Sequence, residues 1–114
     1  IMDKLTISQT KVGNPAVLKL TGEIDAKTAP DLKLQMELII GNGSTNIVLD
    51  MANLSYISSA GIGVLNATLK FLKEKSGEIV LSGLSKEVKD TMDLMYFTKK
   101  IKIFPTVEAA LSSF

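Results

Sequence analysis

Ile47, Val48 and Leu49 form an uninterrupted apolar run between Asn46 and Asp50. A strand with one wet face alternates apolar and polar residues; a strand apolar at every step needs cover on both faces. After it, Ile62, Leu65, Leu69 and Leu72 recur at 3-4-3 spacing, which predicts a helix over 60–74. A doubly covered strand followed by an amphipathic helix is the repeating unit of a parallel sheet flanked by helices.

The rest of the chain fits that unit. Leu5 to Val12 and Ala16 to Thr21 read as strands joined through the turn Gly13-Asn14-Pro15, and so as a hairpin. Gly22-Glu23-Ile24-Asp25 reads as a loop. Thr28 is placed to cap a helix over 29–41, with Pro30 in its first turn and Ala29, Leu32, Met36, Ile39 and Ile40 inward. Residues 51–57 read as a short polar loop, so the strand ends on the Asp50 carboxylate. Glu78 to Leu81 is a further strand. Ser85 caps a helix to about Met95, with Val88, Met92 and Met95 inward. Ile101-Lys102-Ile103 is a last short strand, and Val107, Ala110, Leu111 and Phe114 mark a final helix.

The order β-β-α-β-α-β-α-β-α predicts an α/β fold: a mixed, mostly parallel central sheet with flanking helices, in one domain over 1–114. Right-handed crossovers put function at the carboxyl ends of the strands. Those ends carry Gly22 and Asp25, then Asp50 with Ser58 and Ser59, then Ser82 and Gly83.

The chain has 114 residues and is 46% apolar, with no cysteine and no histidine, and all 13 basic residues are lysine. Disulfides, thiolate chemistry and His-activated nucleophiles are excluded. Guanidinium clamps on phosphate or guanine are excluded too. A net charge of +1 with interleaved signs gives no nucleic-acid footprint. No apolar run reaches the roughly 20 residues that span a bilayer. A soluble cytoplasmic protein with no catalytic residue, metal site or cofactor is expected.

Against that background Ser58-Ser59-Ala60-Gly61-Ile62-Gly63 stands out. Two hydroxyls sit at a helix start, where unpaired N–H groups favour an anion.

Three segments, TGEID (21–25), LDMANLSYISSAGIGVL (49–65) and LSGLSKEV (81–88), resemble the STAS domain. More narrowly they resemble bacterial anti-sigma factor antagonists. The resemblance covers essentially the whole chain. It implies that Ser59, two residues before the motif glycine Gly61, is phosphorylated, with Ser58 as the alternative hydroxyl where many relatives carry Asp. It matches Asp25 to the acidic loop residue of the family, and it implies a partner surface of Asp25, Ser58, Ser59, Gly61, Ile62 and Gly63. The implied partners are an anti-sigma factor with serine kinase activity and a serine phosphatase, with no nucleic acid or membrane.

Three other readings compete. A phospho-receiver domain would need an acidic pair after the first strand, where the chain has Ile7-Ser8-Gln9-Thr10. A serine hydrolase would need a base for Ser59 and a G-x-S-x-G elbow. An unphosphorylated STAS scaffold, such as a transporter's regulatory domain, stays open. Gly61 and Gly63 fit close packing or partner approach equally. Ile62 reads as core or as an exposed contact, with the contact favoured, Asp50 as a local acceptor, and Lys70, Lys73 and Lys75 as a solvated face. Val64, Ala67 and Phe71 widen the apolar stripe, for a partner or for two-sided burial.

Overall fold

The computed structural model describes residues 4–114. Its elements are β1 (Leu5–Lys11), β2 (Ala16–Ile24), α1 (Ala29–Gly41), β3 (Asn46–Ile57), α2 (Ser59–Lys73), β4 (Glu78–Ser82), α3 (Lys86–Leu94), β5 (Lys102–Phe104) and α4 (Val107–Leu111). A turn of 3-10 helix, Phe97–Lys99, precedes β5. The strands lie side by side in chain order. β1 is antiparallel to β2, and β2 through β5 are parallel.

Sequential parallel strands joined by right-handed crossovers put all connecting helices on one face. The core divides accordingly. Leu18, Leu20, Ile47, Leu49, Ile79 and Leu81 point into the main core with α1, α2 and α3. Val17, Val48 and Val80 point the other way and are covered by Ala110, Val107 and Leu111 of α4. The two-sided cover expected of Ile47-Val48-Leu49 is present.

Two strands are longer than the sequence reading gives them. β3 does not stop at Asp50 but runs to Ile57, and β2 runs on to Ile24. The pairing shifts register twice, between Lys19 and Thr21 and between Gly22 and Glu23, each time with an extra residue in β3. These bulges make Met51, Leu54 and Ile57 the buried positions. An inward spacing of three hides the strand from a period-two reading.

Other differences are smaller. Thr28 marks the start of α1, but its hydroxyl makes no cap bond; it donates back to the Glu23 carbonyl at 3.0 Å. Met95 is 43% exposed, because α3 ends at Leu94 and the chain turns through a left-handed Tyr96. Phe114 lies beyond the five-residue α4 and is exposed. Ser85 caps α3 as expected, accepting the Val88 N–H at 3.2 Å.

Candidate functional site

β2 and β3 project together beyond β4, whose last residue, Ser82, pairs with Asp50. Asp50 pairs with Lys19 and Ile57 with Ile24, five steps of β2 apart, roughly 17 Å at about 3.3 Å per residue. The expected polar edge is therefore two places. Ser82 and Gly83 sit beside Asp50 and Ala52. Asp25, Ser58 and Ser59 sit at the far tip. Asp50 serves its own strand: its Oδ1 accepts the Ala52 N–H at 3.1 Å.

At the tip, the Ser58 N–H donates to the Ile24 carbonyl at 2.8 Å, tying the start of α2 to the end of β2. The two serines then separate in role. Ser58 is the N-cap; its Oγ accepts the Gly61 N–H at 3.3 Å and it is half-buried. A cap hydroxyl of this kind is worth about 1 kcal/mol. Ser59 is the first helical residue and is exposed. Its hydroxyl makes no side-chain hydrogen bond among the described residues. Its position beside the leading N–H groups of α2 favours negative charge.

Gly61 and Gly63 also part company. A Cβ on Gly61 would lie 2.5 Å from Ile24 Cγ2 and 2.9 Å from Ile57 Cγ1. Gly61 is thus a packing residue that lets α2 sit on the strand tips. Gly63 is exposed, and a Cβ there meets nothing within 4 Å. A helix-interior glycine costs about 1 kcal/mol relative to alanine, with no packing gain here in return. Ile62, expected as an exposed contact, is only 4% exposed and belongs to the main core. Its place in the 3-4-3 stripe with Leu65, Leu69 and Leu72 decides its direction.

Asp25 holds the neighbouring loop. Its Oδ1 accepts the N–H groups of Lys27 and Thr28, each at 2.9 Å, and shares the Thr28 hydroxyl proton, at 3.1 Å, with the Glu23 carbonyl. Its Oδ2 pairs with the Lys4 ammonium. Lys4 first, then the Thr28 N–H, hold the carboxyl well below the usual carboxylate range. Asp25 in turn raises Lys4. The Lys4 pairing was not legible in sequence, since 21 positions separate the partners and only the β1–β2 register brings them together.

The depressed carboxyl gives a signed expectation. Its stabilising effect is complete above the unfolded carboxylate value of about 3.9 and fades as pH falls through the folded value. Asp25→Asn should therefore melt below the parent protein by a constant margin between about pH 5 and 8, and the margin should close below about pH 4. Thermal melts across that range check it; an unchanging margin down to the lowest pH would contradict the assignment.

This arrangement can hold an anion and present a hydroxyl; among the described residues no side chain that could act as a base is hydrogen-bonded to Ser59. No group of three metal-ligating side chains occurs among the described residues. No helix among them is long and apolar enough to cross a membrane.

The sequence profile of the STAS domain matches residues 6–110. The chain belongs to the STAS domain family. This STAS domain is 27% identical to BtrV of Bordetella bronchiseptica over 110 residues, 96% of this chain and 95% of that one. It is 29% identical to the anti-sigma F factor antagonist of Paenibacillus polymyxa over 97 residues, 84% of this chain and 83% of that one. In structure it resembles SpoIIAA, an anti-sigma factor antagonist from Bacillus, at 19% identity. The unphosphorylated form aligns with a TM-score of 0.79 over 96% of this chain and 94% of that one. The phosphorylated form aligns with a TM-score of 0.71 over 96% and 97%. At that identity the structural likeness speaks for the fold, and the expected STAS α/β architecture is present. The two curated relatives bear the names of regulators, anti-sigma factor antagonists, rather than of enzymes.

Proposed function

We propose that this STAS domain is an anti-sigma factor antagonist switched by phosphorylation of Ser59. The unmodified domain binds an anti-sigma factor that is also a serine kinase, and that binding frees the sigma factor. Transfer of one phosphate from ATP to Ser59 Oγ breaks the complex, and a serine phosphatase restores the binding form. The observation that carries this reading is the division of labour at the head of α2: Ser58 spends its hydroxyl on the cap, while Ser59 is exposed with its hydroxyl unengaged. A kinase can take Ser59 without unwinding the helix. The relatives named as anti-sigma factor antagonists support the role, and a phosphorylated form is known for SpoIIAA.

The physics is simple. Phosphoserine adds about −1.5 to −2 charges at neutral pH. The start of α2 tolerates them, because its leading N–H groups face the phosphate. A partner surface packed against Ser59 does not, because desolvating that charge is costly. Lys4 and Thr28 fix Asp25 beside this tip, so its partner-facing role is to hold the adjoining loop in one shape.

Release of sigma factor tests the role. Added to a preformed complex of sigma factor and anti-sigma factor, the unphosphorylated domain should displace sigma factor, read by size-exclusion chromatography. A complex that stays intact at saturating antagonist would contradict the role and favour a regulatory STAS scaffold.

A further inference from the structure

A groove of about 650 Å³ runs between α1 and α2. Met36 and Ile40, with the oppositely charged Lys33 and Glu37, form the α1 wall, and Gly63, Val64, Ala67 and Phe71 of α2 form the other. We propose that this groove receives an amphipathic helix of the anti-sigma partner, acidic where it passes the carboxyl end of α2. The identity of the partner rests on the function proposed above; the groove and its charge do not.

Dimensions favour a helix. From Ala60 to Phe71 the α2 wall is about 17 Å long at 1.5 Å per residue, enough for three helical turns. Ala60, Gly63, Ala67 and Phe71 recur at three- and four-residue spacing, the ridge pattern that meets the ridges of another helix. Gly63 keeps one wall low, and open space surrounds its missing Cβ. Phe71, 45% exposed, closes the far end as an apolar anchor.

Charge selects the kind of helix. Lys70 and Lys73 lie in the last turn of α2 and Lys75 just beyond it. Among the described residues none of the three is in an ion pair; the paired lysines are Lys4, Lys86, Lys89 and Lys102. Lys75 instead lies over the Phe71 ring, 5.1 Å from its centre. The end of α2 beside Phe71 therefore carries three lysines against one acidic residue, Glu74, a net positive charge that complements an acidic helix end. The near end is continuous with the switch: Ala60 and Gly63, in the first turns of α2, adjoin Ser59. A helix seated here covers the serine, so a phosphate on Ser59 strikes the end of the helix it must release.

The absence of cysteine allows a direct test. Ala67→Cys, labelled with an environment-sensitive fluorophore, reports from the groove; Lys89→Cys on α3 reports from outside it. Adding the purified anti-sigma kinase should blue-shift the label at 67 and leave the label at 89 unchanged. Ala67→Trp, at an exposed position, should keep the parent melting temperature and weaken the complex about tenfold or more, because the indole fills the space the partner helix would occupy. Lys70→Glu combined with Lys75→Glu should weaken it and flatten its salt dependence. Parent-like affinity of Ala67→Trp, with Ser59→Asp still disruptive, would overturn the groove and leave the switch standing. Loss of affinity in Ala67→Trp, with no phosphate ever found on Ser59, would support the groove and sink the switch. Sodium palmitate is the second probe. A blue shift at 67 with palmitate and none with the kinase would overturn the proposal in favour of an acyl-chain site.

Discussion

Ser59→Asp should weaken the complex with the anti-sigma kinase about 30-fold, and Ser59→Ala should bind like the parent yet take no phosphate. The magnitude follows from charge. One carboxylate placed in a packed interface costs about 2 kcal/mol, and the fuller charge of phosphoserine about 3 kcal/mol. Those penalties correspond to roughly 30- and 150-fold in affinity. The domain itself should lose nothing. An acidic residue in the first turn of a helix is favourable by about 0.3–1 kcal/mol, so Ser59→Asp should melt at or slightly above the parent temperature. Ser58→Asp is the informative contrast, because a carboxylate can replace the hydroxyl as cap and should leave most of the affinity intact. Equal affinity of Ser59→Ala and Ser59→Asp, measured by titration calorimetry, would contradict the switch.

Gly22→Ala should be the most damaging single change near the tip, lowering stability by about 3 kcal/mol. Gly22 sits at φ +110°, outside the range that a side chain tolerates. An added Cβ would also lie 2.1 Å from the Lys4 carbonyl oxygen. That carbonyl cannot simply move aside, since it accepts the Glu23 N–H at 2.9 Å. Relief would have to come from separating β1 from β2 just where Lys4 reaches Asp25. For a domain of this size such a loss corresponds to a drop of roughly 10 °C in melting temperature. Gly63→Ala, in open space on a helix, should move the other way by about 1 kcal/mol. A parent-like melting temperature for Gly22→Ala would contradict the assignment of Gly22 as a position held by its positive φ and its close approach to the Lys4 carbonyl.

The parts of the fold that were legible in sequence are those with undisturbed periodicity. Ile47-Val48-Leu49 fixes a doubly covered strand because successive residues meet alternate layers, Ile47 and Leu49 the main core and Val48 the face under α4. The helix over 60–74 is displaced by one residue, because Ser58 caps it and Ser59 opens it. What failed is what bulges disturb. Met51, Leu54 and Ile57 carry the strand signal at a spacing of three, so the tip that presents the site looked like a loop. For the site, it is the family resemblance that points to Ser59, by its register to Gly61, and to Asp25, by the loop after β2; the residue pattern alone offers two hydroxyls at a helix start. Ile62 was misassigned because its neighbours are glycines, although its own helical phase pointed inward. Tyr96, left-handed at φ 58°, broke the expected end of α3, and only the backbone geometry reveals it. The unpaired lysines at the end of α2 were legible as a solvated face, but the groove beside them needs the packing of α1 against α2.

Mapping the phosphate is the most direct test of the switch. The domain, incubated with its anti-sigma kinase and ATP, should gain a single phosphate, and fragmentation mass spectrometry should place it on Ser59; Ser59→Ala should gain none. A phosphate on Ser58 or elsewhere, or no phosphate on a domain that still binds the kinase, would contradict the account.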